Sequence, residues 1–389
     1  MERMKSQVFA PVEQGGKRPL VVQVVRQYAP GRGGLEDVVA NLSRLLLQRG
    51  YRVRVVTCNS LFTARDHLLP PMETIDGVEV VRIPWWGSPR YPFGPAVLQH
   101  IGDADLVHVH GVDFFFDFLA ATRFLHGKAM VATTHGGFFH TPKYAAIKKV
   151  WFRTLTRFSA HAYRALLCCS RSDFALFSQI AGRRAVLVEN GVDTEKFAGL
   201  SSSEPQRRIV TIGRFSVNKR LDRLLDMMAA LVRLSPDWHL DIIGSPSDLR
   251  EEDLRREIAA RGLSDHVFLH VSVGNEEIRR LIAEASIFAS ASEYEGFGLV
   301  AVEAMSAGLL PILHPNEAYQ TLAAQHDAVT LADFRDANTA ADALVAAYGK
   351  LASGNSTLKE RLIDAARMYS WDAVAERYIS VYNASLKVR

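Results

Sequence analysis

Residues 289–313 read ASASEYEGFGLVAVEAMSAGLLPIL, and within them Glu295-Gly-Phe-Gly-Leu-Val-Ala-Val-Glu303 places two carboxylates eight residues apart. The apolar run Ile287–Ala289 predicts a buried strand and Val300–Met305 the start of a helix, so the stretch is a strand–loop–helix unit of an α/β domain. Gly296 and Gly298 carry no side chain and let the loop backbone come close to a ligand. The helix N-terminus behind them offers free N–H groups and partial positive charge, which suits a phosphate. Glu295 and Glu303 can accept hydrogen bonds from hydroxyls. Phosphate recognition beside polyol acceptors points to a nucleotide sugar.

Outward from this unit, strand and helix signals alternate through the chain, the signature of doubly wound α/β architecture. Strands are expected near Leu20–Val25, Arg52–Thr57, Val78–Ile83, Leu106–His110, Met130–Thr133, Ala165–Cys169 and Val186–Glu189. A polar, Ser-rich stretch around residues 191–205 then reads as a linker. The pattern restarts at Ile209–Ile212, Leu240–Ile243, Val267–His270 and Leu310–Leu313. At 389 residues the chain is too long for one core. We expect a polar tail over 1–18, a first domain over 19–198, a second over 199–368 and a closing helical segment over 369–389. Ligands of such sheets lie outside the carboxyl ends of the strands.

Charge narrows the class. A net charge of +4 gives no case for nucleic acid. From Phe118 to Ser172, however, there is no Asp or Glu, while Lys143, Lys148, Lys149, Arg153 and Arg157 crowd one segment. That asymmetry suits an anionic surface. Residues 143–166 also predict a helix with Ile147, Val150, Trp151, Leu155, Phe158 and Ala162 on one stripe. The stripe reads either as core packing with a solvated basic side or as a membrane-surface face, and both readings stand. Three cysteines give no disulfide framework. No apolar run approaches the roughly 20 residues that cross a bilayer, and residues 1–19 lack a signal-peptide apolar region.

Gly213-Arg-Phe-Ser-Val-Asn-Lys219 follows the first strand of the second half, so Arg214 and Lys219 can clamp a diphosphate. Gly33-Gly34 follows the first strand of the first half and reads equally as a phosphate loop or a plain helix entry. His135, in Thr133-Thr-His-Gly-Gly137, sits at a strand end before a turn that permits close approach. His108 and His110 share a strand face without a third metal ligand, and Asp103-Ala-Asp105 precedes a strand; both read as structural.

With Glu295, Glu303, Arg214, Lys219, Gly33–Gly34 and His135 in this order, the chain resembles the retaining GT-B glycosyltransferases that carry an E-x7-E motif, over nearly its whole length. The stretches VVRQYAPGRGGLEDVVANL and TTHGGFFHT are similar to the mannosyltransferases that extend lipid-linked cellobiose in xanthan- or acetan-type polysaccharide synthesis. The resemblance implies two Rossmann-like domains facing across a cleft, with a terminal helix crossing back to the first. It implies that Arg214 and Lys219 neutralise the leaving diphosphate and that Glu295 binds the transferring hexose. Backbone N–H groups of Gly296, Phe297, Gly298 and Leu299 would hold sugar and phosphate, Glu303 the ribose, and His135 the hexose, with Gly33 and Gly34 near the diphosphate. No metal or other cofactor is implied, and no protein nucleophile, because retention is assigned to front-face attack. The partners implied are GDP-mannose and a polyprenyl-diphosphate saccharide at the cytoplasmic face of the inner membrane, reached through Lys143, Lys148, Lys149, Trp151, Arg153 and Arg157. The competing readings are a UDP-hexose donor, a sugar-nucleotide epimerase of the same fold, or a non-catalytic sugar-binding protein. Two departures from the pattern stand out: Arg220 follows Lys219 where glycine is common, and His314-Pro-Asn-Glu-Ala318 replaces a Gly-rich turn, with Glu317 retained.

Overall fold

The computed structural model describes residues 18–31, 33–136, 149–354 and 356–387. Lys143 and Lys148 lie outside the described residues. The chain forms two compact units, one of residues 1–191 with 371–389, the other of residues 192–370.

The first unit is built on eight strands: β1 Leu20–Val25, β2 Arg52–Cys58, β3 Met72–Ile75, β4 Val78–Ile83, β5 Leu106–His110, β6 Ala129–Thr133, β7 Ala165–Cys168 and β8 Ala185–Leu187. Their order is β8-β7-β6-β5-β1-β2-β4-β3, parallel except for the edge strand β3. β1, flanked by parallel neighbours, is apolar at all positions but Gln23, as a strand buried on both faces requires. The helix Gly34–Gln48 packs Val39, Leu42, Leu45 and Leu46 on one side of this sheet. Beside it lies the terminal helix Trp371–Lys387, whose Val374, Ala375, Tyr378, Ile379 and Tyr382 enter the same core. Arg49 ties the pair together through Asp372 at 3.0 Å and Glu376 at 2.5 Å.

The second unit has strands β9 Arg208–Ile212, β10 His239–Gly244, β11 Val267–Val271, β12 Ile287–Ser290, β13 Leu310–Leu313 and β14 Thr330–Leu331, all parallel in the order β11-β10-β9-β12-β13-β14. In both sheets the order reverses beside the first strand, between β5 and β1 and between β9 and β12. Such a reversal opens a crevice at the carboxyl ends of the strands, where ligands of these folds bind.

Three expectations are corrected. The first boundary falls at 191/192 instead of 198/199, because Val192 and Phe197 are buried in the second core. The presumed linker is also pinned to that unit: the N–H groups of Gly199, Ser201 and Ser202 donate to Ser306, Ala307 and Ala285. The later boundary lies at 370/371 instead of 368/369, since Tyr369 is buried in the second core and its carbonyl accepts from Val192 N–H.

The third correction concerns the basic helix. Its residues Phe152–Thr156 form a π-helical turn. The wider turn shifts the facing, so Phe152, Thr156, Ser159 and Ala160 are buried. Val150, Trp151 and Phe158, which the core-packing reading of the stripe would bury, are 64%, 40% and 71% exposed, so that reading fails for them and the surface-facing one does not. Lys149, Arg153 and Arg157 are exposed among them.

Candidate functional site

In the second unit, the loops that leave β9 and β12 flank the sheet's reversal point and are stitched together. Glu293 N–H donates to the Asn218 carbonyl and the Asn218 amide to the Tyr294 carbonyl. Phe215 is fully buried and its N–H is held by the Ser245 carbonyl, which fixes the turn and leaves the preceding Arg214 exposed. Arg214 has no hydrogen-bond partner among the described residues. Gly244 on β10 is required by close approach: a Cβ there would lie 1.8 Å from the Gly213 carbonyl oxygen.

Lys219 Nζ sits 2.7 Å from Glu295 Oε1, and the Tyr319 hydroxyl lies 3.3 Å from the same oxygen. Burial and the Glu295 charge together push the Tyr319 hydroxyl well above the ordinary tyrosine range, so it stays protonated as a donor. Thr211, Gly213, Arg214, Lys219, Ser290 and Ser292 line a notch of about 10 Å³ under the loops, room for about one water.

The helix launched by the Glu295 loop runs Leu299–Ala307, capped by Gly298 at φ 84°. A Cβ at Gly298 would approach Tyr319 to 2.8 Å, so tyrosine and glycine fix the loop jointly. Ala301 and Val302 N–H donate to the Gly298 carbonyl, which leaves the N–H groups of Leu299 and Val300 without acceptors among the described residues at the positive end of the helix dipole. Glu303, on this helix, has no hydrogen-bond partner for its carboxylate among the described residues. Desolvation holds its pKa above the ordinary value, opposed by Lys196 and reinforced by Asp193. Glu295 is thus a paired carboxylate and Glu303 an open acceptor.

The two departures acquire physical reasons. Arg220 occupies the left-handed region at φ 49°, where glycine is the easy choice. Its guanidinium is paired with Asp222 and Glu293, each at 2.7 Å, and Glu293 also takes Arg223 at 2.6 Å, so the extra charge is locally balanced. Asn316 caps the helix Glu317–Gln325 by accepting from Tyr319 N–H, and its amide donates to the Ser292 carbonyl. Glu317 is exposed at that helix start.

In the first unit, Gly33 and Gly34 open the helix that follows β1, with Glu36 and Asp37 in its first turn. Nothing lies within 4 Å of a Cβ built on Gly34. His135 follows β6 at φ 50°. Asp173 Oδ2 holds its turn by accepting from Thr134 Oγ1 at 2.6 Å and Gly136 N–H at 2.8 Å. Burial drives the His135 pKa down to about 4, with Asp173 opposing and Arg26 reinforcing. The imidazole is therefore neutral at pH 7.

His108 and His110, read from sequence as structural, form the support behind His135. His110 Nδ1 lies 2.9 Å from His135 Nε2, and His110 Nε2 lies 2.5 Å from Gln23 Oε1. His108 lies against His110, the rings tilted by 39° with centroids 3.9 Å apart, and is held by Tyr382 Oη at 2.7 Å and Thr133 Oγ1 at 2.8 Å. The terminal helix thus braces the imidazole cluster. Asp103 pairs with Arg54, and Asp105 accepts from Leu20 N–H, so both are structural. Among the described residues no three His, Cys, Asp or Glu side chains cluster to hold a metal, and no helix is long and apolar enough to cross a membrane.

Sequence reading missed Gln23 because its partner is 87 positions away; the one signal was a polar residue inside an otherwise apolar strand. It also missed the exposed aromatic hairpin Trp86–Ser88/Tyr91–Phe93, whose Tyr91 ring meets Trp151 edge-on at 6.2 Å.

Residues 32–196 match Glycosyltransferase Family 4 and residues 192–367 match Glycosyl transferases group 1. The chain is 40% identical over 96% of its length to a protein of Komagataeibacter xylinus, and 41% over 94% to one of Xanthomonas campestris; 95% and 97% of those chains are covered. Both are named GDP-mannose:cellobiosyl-diphosphopolyprenol alpha-mannosyltransferase. Among solved structures, sucrose-phosphate synthase from Thermosynechococcus elongatus superposes with a TM-score of 0.66 at 18% identity, covering 94% of this chain and 99% of that one. The fold is GT-B, and the chain belongs to the glycosyltransferases built from a family 4 N-terminal domain and a group 1 C-terminal domain.

Proposed function

We propose that the chain is a retaining α-mannosyltransferase that moves mannose from GDP-mannose to a polyprenyl-diphosphate-linked cellobiose in exopolysaccharide synthesis. The observation that carries this reading is the likeness of 40% or more, over nearly the full length, to relatives of that name. The site chemistry is consistent with it. Arg214 and Lys219 face the leaving diphosphate; Lys219 has three donors and can keep Glu295 while reaching phosphate. The N–H groups of Leu299 and Val300, at the start of the helix Leu299–Ala307, add to the same stabilisation of developing negative charge. Glu303 takes ribose hydroxyls, while Glu295 and His135 take the hexose. Front-face displacement forms the bond from the acceptor hydroxyl to C1 on the side where the bond to phosphate breaks. The acceptor's proton passes to a phosphate oxygen of the leaving group, so no protein nucleophile is required. The reading needs no metal ion: the cations and the helix terminus supply the charge. The test is transfer from labelled GDP- and UDP-sugars to lipid-linked cellobiose: label from GDP-mannose should enter the lipid phase. A product from UDP-hexose alone removes the mannose assignment, and no product from any donor removes the transferase.

Docking at the cytoplasmic face of the inner membrane belongs to the same reading. Trp151 and Phe158 stand exposed among Lys149, Arg153 and Arg157, and the hairpin residues Trp86 and Phe93 are 59% and 48% exposed. Aromatic and cationic side chains on one surface suit the headgroup region of an anionic bilayer. Replacing Lys149, Arg153 and Arg157 with Gln should weaken binding to anionic vesicles about a hundredfold, at about 1 kcal/mol per charge. Unchanged sedimentation would return this helix to a soluble role.

A further inference from the structure

The hydrogen-bond chain behind His135 has a direction. A neutral imidazole has one N–H and one lone pair, and which nitrogen carries the proton is set by the partner of the other. The chain ends at the amide oxygen of Gln23, which can only accept. His110 therefore donates from Nε2 and carries a bare Nδ1. That lone pair makes His135 Nε2 the donor across the 2.9 Å contact. His135 Nδ1 is then bare, and it has no partner among the described residues on a side chain that is only half-buried.

The conditions for this logic are met in the fold. Burial holds His108 and His110 well below the ordinary histidine range, so at pH 7 each ring carries one proton. The rings are also fixed in place: His108 is bonded at both nitrogens and lies against His110. The reverse arrangement is a defined alternative. Turning the Gln23 amide would make its NH2 the donor, reverse both bonds and leave a hydrogen on His135 Nδ1. In the structure it is the amide oxygen that meets His110, while Gln23 Nε2 is buried without a partner.

We propose that Gln23, acting through His110, fixes the tautomer of His135 so that its Nδ1 meets the bound sugar as a hydrogen-bond acceptor. This rests on the reading that His135 faces the transferring hexose. Gln23 and His110 are positioning residues; they select a group that donates, a hydroxyl, over an ether or carbonyl oxygen at the same place. A donor lacking that hydroxyl leaves the acceptor unpaired and is transferred more slowly.

The test uses the full chain labelled with 15N-histidine, the His135 signals being those lost in His135→Asn. NMR between pH 6 and 8 should show Nε2 protonated and Nδ1 bare. In Gln23→Leu both tautomers of His135 should appear, with kcat for transfer down roughly tenfold, the scale of lost outer-shell support, and KM for the nucleotide sugar within about twofold. A proton on Nδ1 of the native protein overturns the proposal, and that result is available even where Gln23→Leu does not fold. An unchanged tautomer in the variant overturns it as well. A changed tautomer with unchanged transfer separates the two layers: the relay exists, but His135 does not serve the sugar, and the proposal fails there.

Discussion

In the second unit the loops at the sheet's reversal point are crowded with charge: Arg214, Lys219, Glu295, and behind them Arg220, Arg223, Asp222 and Glu293. At the corresponding place in the first unit, the loops after β1 and β6 present glycines and His135, backed by His108 and His110 of β5, all imidazoles that burial keeps uncharged. The same topology thus supports two electrostatic designs. Charges arranged by ion pairs suit a diphosphate whose negative charge grows as it leaves. Neutral imidazoles with fixed hydrogen-bond directions suit a polyol, which needs oriented donors and acceptors and gains little from a net charge.

The largest effect should come from the charged side. Arg214→Ala and Glu295→Ala should each lower transfer at least about a hundredfold, the usual loss for one stabilising donor. Arg214 is exposed, so its removal should leave stability within about 0.5 kcal/mol. Ordinary turnover in both variants would place the chemistry elsewhere.

Acid should act on the neutral side. The folded His135 pKa of about 4 lies below the value near 6.5 in an unfolded chain, so the unfolded state takes up the proton first. Its contribution is complete above pH 6.5, falls progressively between 6.5 and 4, and is worth about 3 kcal/mol at most. Chemical denaturation across this range should show stability falling with pH, and less steeply in His135→Asn. An identical pH slope in the variant would break the contrast between the units.

Two glycines give the smallest effects. Gly298→Ala forces a Cβ into the left-handed region against Tyr319 and should cost about 1–2 kcal/mol. Gly34→Ala meets open space and should leave the melting temperature unchanged. If it nonetheless impairs transfer, Gly34 serves ligand approach; unaltered transfer would reduce the Gly33–Gly34 pair to a helix entry.

Much of this was legible because buried parallel strands announce themselves as short apolar runs. β1, β2, β4 to β7 and β9 to β13 all fall where the runs predict them. β14, with two residues, and the exposed hairpins gave too little periodicity to read. The facing of the basic helix was lost to a π-helical turn, which no 3.6-residue count anticipates. The motif residues were visible as loop chemistry at strand ends, yet their pairing was not. Lys219 and Glu295 are 76 positions apart, and only the neighbouring placement of β9 and β12 brings their loops together. Gln23, His110 and His135 likewise meet through the β1–β5–β6 register.

The contrast between a charged and a neutral half is tested most directly by calorimetric titration of GDP into the native protein, Arg214→Ala and His135→Asn, each also assayed for transfer. Arg214→Ala should lose at least about tenfold in GDP affinity, a charge-assisted contact's worth. His135→Asn should bind GDP within about twofold of native while its transfer rate falls. Native GDP affinity in Arg214→Ala, or a matching loss of GDP affinity in His135→Asn, would contradict it.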